Sequence, residues 1–92
     1  GVLVVGDYVS PVEIPWISDG GSRSAYVATL GRLLPLIEAA EHIVPGHGAV
    51  LDPVRAAAIV REDLHYLETG ELPIARRTPA QKKIDAENRG RW

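Results

Sequence analysis

Two short apolar segments separated by one helical pattern constrain the fold of this chain more than any other feature. The segments are VLVV at residues 2–5 and HIV at residues 42–44, and a continuous apolar run is typical of a strand buried on both faces. Between them, five apolar side chains recur at the spacing of one helix face: Tyr26, Leu30, Leu33, Leu34 and Ile37. This strand–helix–strand order favours two parallel strands joined by a right-handed crossover.

Residues that begin and end helices predict two further helices. Asp52 followed by proline is typical of a helix N-terminus, and Gly70 predicts that this helix ends after about residue 68. The segment 78–81, Thr-Pro-Ala-Gln, has the form of a capping box and opens a third helix that Gly90 ends. The predicted order is therefore strand, helix, strand, helix, helix, which is a small α/β fold.

Two proline-containing segments are expected to be irregular. Pro35 lies inside the first helical pattern, where it removes a backbone donor, and therefore predicts a kink or a break. Residues 10–22 contain two prolines and two glycines, so they are predicted to form a loop with at most a short extended piece.

Charge divides the chain into two parts. Residues 1–75 carry four arginines against ten acidic residues, a net charge of −6, whereas residues 76–92 carry six basic residues against two acidic ones, a net charge of +4. We therefore distinguish a main part at 1–75 from a basic C-terminal helix or tail at 76–92. No aromatic residue lies between the basic residues of this tail, so we expect a solvated helix rather than a nucleic-acid-binding surface.

Several classes of protein are excluded or disfavoured by composition. The absence of cysteine excludes a disulfide scaffold and any cysteine-ligated metal site. No apolar run approaches the roughly 18–20 residues that a membrane span requires. Because Gly1 opens directly into a strand pattern without methionine or a leader, we expect a fragment or processed piece, and we expect it to be cytoplasmic.

A carboxylate and an imidazole follow the two predicted strands directly. Asp7 comes after Gly6 at the end of the first strand, and His47 lies between Gly46 and Gly48 after the second. Neighbouring parallel strands lie about 4.8 Å apart, and ligands of open α/β sheets bind at their carboxyl ends. Glycines let a ligand or another strand approach closely, while imidazole and carboxylate are common metal ligands. We therefore predict that Asp7 and His47 converge on one site.

Each of these motifs also has a purely structural interpretation. Gly6-Asp7 can be a strand-ending turn and residues 46–48 a tight loop, since glycine and aspartate are common turn residues. Their occurrence at equivalent strand ends favours a site. Glu13 is interpreted either as an acceptor near Asp7 or as an exposed loop acid, and His42 and His65 are predicted to be surface residues.

The motifs VLVVGDYVSPVEIP at residues 2–15 and IVPGHGAVLD at residues 43–52, with a helix between them, resemble the C-terminal half of metallo-β-lactamase-fold hydrolases. The resemblance covers about residues 2–70. It implies an αββα sandwich with a dinuclear site, usually zinc, at one edge of the paired sheets. By this resemblance Asp7 bridges two divalent metal ions and His47 ligates the second, and a metal-bound hydroxide hydrolyses a small-molecule substrate.

The remainder of the family's pattern is absent from this chain. The HxHxDH signature and a further histidine belong to the N-terminal half of that fold, and a zinc site requires three or four protein ligands. We therefore expect the chain to be inactive alone, and its partner to be the missing N-terminal half or a second copy.

Two alternative functions remain open from the residues. A phosphatase of the haloacid-dehalogenase type also has Gly-Asp after a strand, but it would need an Asp-x-Asp nucleophile and does not explain the PGHG motif. A non-catalytic module would dimerise through the apolar face of its sheet or bind acidic partners through the basic tail.

Overall fold

The computed structural model describes residues 1–18, 20–46 and 48–92 and contains the predicted elements in the predicted order. These are strand β1 (Val2–Gly6), helix α1 (Arg23–Ala39), strand β2 (His42–Pro45), helix α2 (Pro53–Thr69), a short 3-10 turn (Ile74–Arg76) and helix α3 (Pro79–Arg89). β1 and β2 pair in parallel, with Val2 opposite His42 and Val4 opposite Val44. The α/β class and the parallel pairing are therefore confirmed.

The two faces of this sheet differ sharply in burial. Leu3, Val5 and Ile43 turn one face toward the core, whereas Val2 and Val4 on the other face are 65% and 70% exposed. The apolar run of β1 is therefore covered on one face only, because the helices pack on one side of the sheet in the part that the structure describes. Both faces of a parallel sheet are normally covered.

Local sequence accounts for the ends of α2 and α3. The Asp52 carboxylate accepts a hydrogen bond from the backbone N–H of Arg55 at 2.8 Å, and Gly70 ends α2 in the left-handed conformation. The Thr78 hydroxyl accepts from the backbone N–H of Gln81 at 3.3 Å, and α3 ends at Gly90 as predicted. These caps satisfy backbone groups that a helix end would otherwise leave unpaired.

Of the kink or break expected at Pro35, the break does not occur, since α1 continues to Ala39. Because proline has no backbone N–H, the carbonyl of Gly31 lacks its usual helical partner at position 35. Both residues are exposed, so water is available to that carbonyl. The five apolar residues of the predicted α1 face all lie in or against the core. Among the described residues, no helix is long and apolar enough to cross a membrane.

Candidate functional site

The carboxyl ends of β1 and β2 meet beside Asp7. The backbone N–H of Gly46 donates to the carbonyl of Gly6 at 2.6 Å. A Cβ atom added at Gly46 would lie 2.9 Å from that carbonyl oxygen and 3.5 Å from Oδ1 of Asp7, so a larger residue would push the two strand ends apart. Glycine at position 46 is therefore what allows the loop after β2 to close against Asp7.

The same loop also contacts the segment that follows Asp7. Gly48 has a φ of 104°, and a Cβ atom there would lie 2.9 Å from Cγ of Pro11. Both glycines of the PGHG motif are thus required by backbone geometry or by a close approach. His47 itself, like Asp19, lies outside the described residues, so its role as a metal ligand stays a prediction.

Asp7 lies in a turn that is held in an unfavourable backbone conformation. The turn is closed by a 3.1 Å hydrogen bond from the Tyr8 N–H to the Val5 carbonyl, and Val9 has a φ of 61° although its side chain is only 1% exposed. A β-branched residue in the left-handed region costs about 1–3 kcal/mol and persists only where the surrounding structure imposes it. Such strain is concentrated at functional sites, and it occurs here two residues after Asp7.

The Asp7 carboxylate is not used in any contact that stabilises the described part of the chain. It is exposed and makes no hydrogen bond or ion pair there. A polar group that ends a strand normally bonds to nearby backbone. Among the described residues, no group therefore competes with a ligand for the Asp7 oxygens.

A cavity of about 570 Å³ opens next to Asp7. Its walls come from the loop after β1, the first half of α1 and one face of α3, and they include Tyr8, Trp16, Tyr26 and Ile84. Glu13, predicted as an acceptor near Asp7 or as an exposed loop acid, is exposed and lines the same cavity.

The C-terminal segment holds the loop that forms this cavity, which sequence reasoning did not anticipate. Nη1 of Arg76 donates to the carbonyls of Ser10 and Glu13 at 3.2 and 2.9 Å. Oε1 of Gln81 accepts from the backbone N–H of Ile14 at 2.8 Å. Gln81 therefore does not complete the predicted capping box, since its side chain bonds to the loop instead of to Thr78.

Asn88 joins the loop to both α2 and α3. Its Oδ1 accepts from the backbone N–H of Ile17 at 2.8 Å, while its Nδ2 donates to the carbonyl of Pro15 at 2.7 Å and to the Tyr66 hydroxyl at 3.0 Å. Nη1 of Arg91 donates to the carbonyl of Ile17 at 3.0 Å.

We call Arg76, Gln81, Asn88 and Arg91 the C-terminal clamp. Three of them, Arg76, Gln81 and Asn88, are at most 8% exposed. The expectation of a solvated helix is therefore wrong for the face of α3 that meets the loop.

No family model, curated protein or solved structure matches this chain. The family resemblance therefore stays a hypothesis about the two motifs. Among the described residues, no group of three or more histidine, cysteine, aspartate or glutamate side chains is suitably placed for a metal ion. The available Asp7 carboxylate and the closure of Gly46 beside it fit a metal-ligating position, but a zinc site would need ligands in addition to Asp7.

The two other histidines lie away from this edge. His42 is exposed at the start of β2. His65 is exposed on α2, where its Nε2 lies 3.4 Å from Oε2 of Glu71. Both are surface residues, as predicted.

Arg76 of the clamp also forms a buried ion pair with Asp63 of α2. Oδ1 of Asp63 lies 2.6 Å from Nη2 of Arg76, and both side chains are 2% exposed. No N–H of the described residues points directly at this oxygen, so we regard the contact as ionic. Burial raises the pKa of Asp63 to about 7; Arg76 opposes this shift, and Glu62 adds slightly to it.

This raised pKa predicts a specific dependence of stability on pH. Between the ordinary pKa of 3.8 and about 7, folded Asp63 holds a proton that the unfolded chain has lost. Its contribution to the free energy of unfolding is therefore complete below about pH 4 and is lost as the pH rises to about 7. Urea unfolding of the wild type and of Asp63→Asn between pH 4.5 and 8 should show that the wild type loses stability relative to the variant.

The matched control is Glu68→Gln, which removes an exposed carboxylate from the same helix. This variant should keep the wild-type dependence on pH. Equal slopes for wild type and Asp63→Asn would contradict the assignment of a raised pKa to Asp63.

Proposed function

We propose that this chain is the C-terminal half of a metal-dependent hydrolase with a metallo-β-lactamase-like αββα sandwich. In this proposal Asp7 bridges two divalent metal ions, zinc being the expected metal, and His47 ligates the second ion. The observation that carries the proposal is the contact of Gly46 with Gly6 beside an Asp7 carboxylate that makes no hydrogen bond or ion pair with the described residues.

In the proposed site, the metal ions and the residues of the chain have different roles. The ions, when bound, polarise the bond to be broken and lower the pKa of water to about 7. The chain places Asp7 at the end of β1 in the turn closed by the Tyr8 N–H and the Val5 carbonyl, and it admits the loop after β2 through Gly46. A site held on strand ends in this way is more precise than one on a free loop.

The proposed partner is the N-terminal half of the same fold. Val2 and Val4 leave one face of the parallel sheet uncovered, at 65% and 70% exposure, and such a face is normally packed against another layer. An N-terminal half would cover this face and supply the remaining metal ligands. For the same reason, we expect the isolated chain to hydrolyse no ester or lactam at physiological zinc concentrations.

The uncovered sheet face also favours a second candidate function, a non-catalytic module that dimerises. A second copy of the chain would then lie on Val2 and Val4. This module would not need Asp7 or His47 for its activity, and zinc binding therefore distinguishes the two candidates.

Calorimetric titration of the 92-residue chain with zinc tests the metal ligands. Two ligands should give weak binding, and Asp7→Ala or His47→Ala should each weaken it by about tenfold or more, since ligand losses exceed the 10–100-fold cost of removing supporting groups. The molecular mass should be measured in parallel by sedimentation.

His65→Ala is the matched control, because it removes an exposed imidazole beside a carboxylate on α2. It should leave zinc binding unchanged. Zinc binding that is lost in His65→Ala and kept in Asp7→Ala would contradict the proposed site. A dimer that binds no zinc would support the module instead.

A further inference from the structure

The cavity beside Asp7 has the size and walls of a small-molecule site. Its volume of about 570 Å³ falls in the range of about 300–1,000 Å³ that is usual for ligand pockets. Tyr8 and Tyr26 contribute tilted rings whose centroids are 5.0 Å apart. Ile84 of α3 and Trp16 of the loop supply further apolar wall, so most of the shape of the cavity is set by aromatic and aliphatic side chains.

Trp16 is held in place although half of its surface is exposed. Its Nε1 donates to Oε2 of Glu87 at 3.3 Å, and the Arg91 guanidinium lies 5.8 Å from its ring centroid. The side chain is nevertheless 51% exposed. A large ring that is positioned in this way and left open to a cavity presents apolar surface to a ligand at little entropic cost.

The polar groups of the cavity indicate the charge of its ligand. The charged side chains among the described lining residues are Asp7 and Glu13, both acidic. The cavity thus combines apolar walls with acidic side chains, an arrangement that repels an anionic ligand and admits an uncharged one.

We infer that this cavity binds an aryl or other apolar group of an uncharged substrate, such as a carboxylic ester or amide. The inference rests on the proposed function only in placing the bond to be hydrolysed at Asp7. The loop wall is fixed by Gln81 and Asn88, whose bonds to Ile14 and Ile17 form the cavity before any ligand arrives. The C-terminal helix is therefore part of the substrate site.

Binding can be measured on the metal-free 92-residue chain through the fluorescence of Trp16. Trp92→Phe leaves Trp16 as the only tryptophan and keeps an aromatic ring against Tyr66. The probes are 4-phenylbutyramide, its carboxylate analogue 4-phenylbutyrate, and butyramide, which lacks the ring. We expect a Kd on the order of 1 mM for phenylbutyramide, from the usual affinity per atom of a ligand of this size, and no saturation by butyramide.

The charge and the ring are tested separately by this series. Phenylbutyrate should bind about fivefold or more weakly than the amide, because its carboxylate would lie close to that of Asp7. Binding of phenylbutyrate as tight as that of the amide would overturn the assignment to an uncharged ligand.

Two variants test the walls. Ile84→Glu places a charge in the apolar wall, and Ala25→Phe fills the cavity from an exposed position on α1. Each should abolish the phenylbutyramide response, whereas Ile74→Glu, at an 83% exposed isoleucine outside this cavity, should leave it unchanged. Unfolding of Ile84→Glu, seen by circular dichroism, would leave Ala25→Phe as the deciding variant.

A response that survives Ala25→Phe, or no response to phenylbutyramide at all, would overturn the inference. Both readouts are independent of zinc. Failure of the cavity is therefore distinguishable from failure of the metal site, which the titrations of Asp7→Ala and His47→Ala decide.

Discussion

Replacing Arg76 with methionine is expected to lower the free energy of unfolding by about 3–5 kcal/mol, the usual cost of removing one partner from a buried ion pair. Asp63 would then be left buried without its counter-charge, and the carbonyls of Ser10 and Glu13 would lose their shared donor. Urea unfolding at pH 8, where Asp63 is largely ionised, measures the effect.

Arg77→Met is the matched control for this prediction. Arg77 is 43% exposed and lies 3.9 Å from Glu71, so its loss should change the free energy of unfolding by less than about 0.5 kcal/mol. The double variant Asp63→Leu with Arg76→Met should recover part of the loss, because it removes both buried charges together. A value for Arg76→Met within about 1 kcal/mol of wild type would contradict a stabilising role for the pair.

Asn88→Leu is expected to be the second large effect, at about 2–5 kcal/mol. The change keeps the side-chain volume approximately but leaves the Ile17 N–H and the Pro15 carbonyl without their buried partner. Each unsatisfied buried group of this kind costs about 1–3 kcal/mol. Hydrogen exchange at the Ile17 amide should accelerate in the variant, which measures the release of the loop directly.

Lys83→Leu provides the comparison on the same helix. Lys83 is exposed, so this variant should keep both the wild-type stability within about 0.5 kcal/mol and slow exchange at Ile17. If Asn88→Leu left exchange at Ile17 unchanged, the loop would be held by something other than the clamp.

Much of the fold follows from local sequence. The helix ends at Asp52, Gly70 and Thr78 were predicted correctly. Each of these residues makes its capping hydrogen bond to a residue only three or four positions away in the sequence. The parallel pairing followed from the strand–helix–strand order, and it explains why the meeting of Gly46 with the end of β1 beside Asp7 was predictable. Strand ends that run in the same direction must finish at the same edge.

The clamp was not predicted, because its residues bind partners far away in the sequence and because they are polar, so that they add nothing to a hydrophobic pattern. Gln81, Ile84 and Asn88 recur at the spacing of one helix face, but two of the three are polar, and hydrophobic periodicity therefore does not single out this face. The position of Gln81 also fitted a capping box, but its side chain accepts a hydrogen bond from the backbone N–H of Ile14 instead. The left-handed backbone conformation of Val9 was not predicted either, since nothing in the sequence distinguishes a valine with positive φ from any other valine.

The clamp has a consequence for the synthesis of the protein. The groups that fix the loop stand 63–74 residues after the backbone atoms they bind. A ribosome makes the chain from its N-terminus, and contacts so far apart in sequence form late. β1 and Asp7 therefore emerge long before the loop beside them acquires its fixed shape, and the cavity takes that shape only after Asn88 and Arg91 have been made.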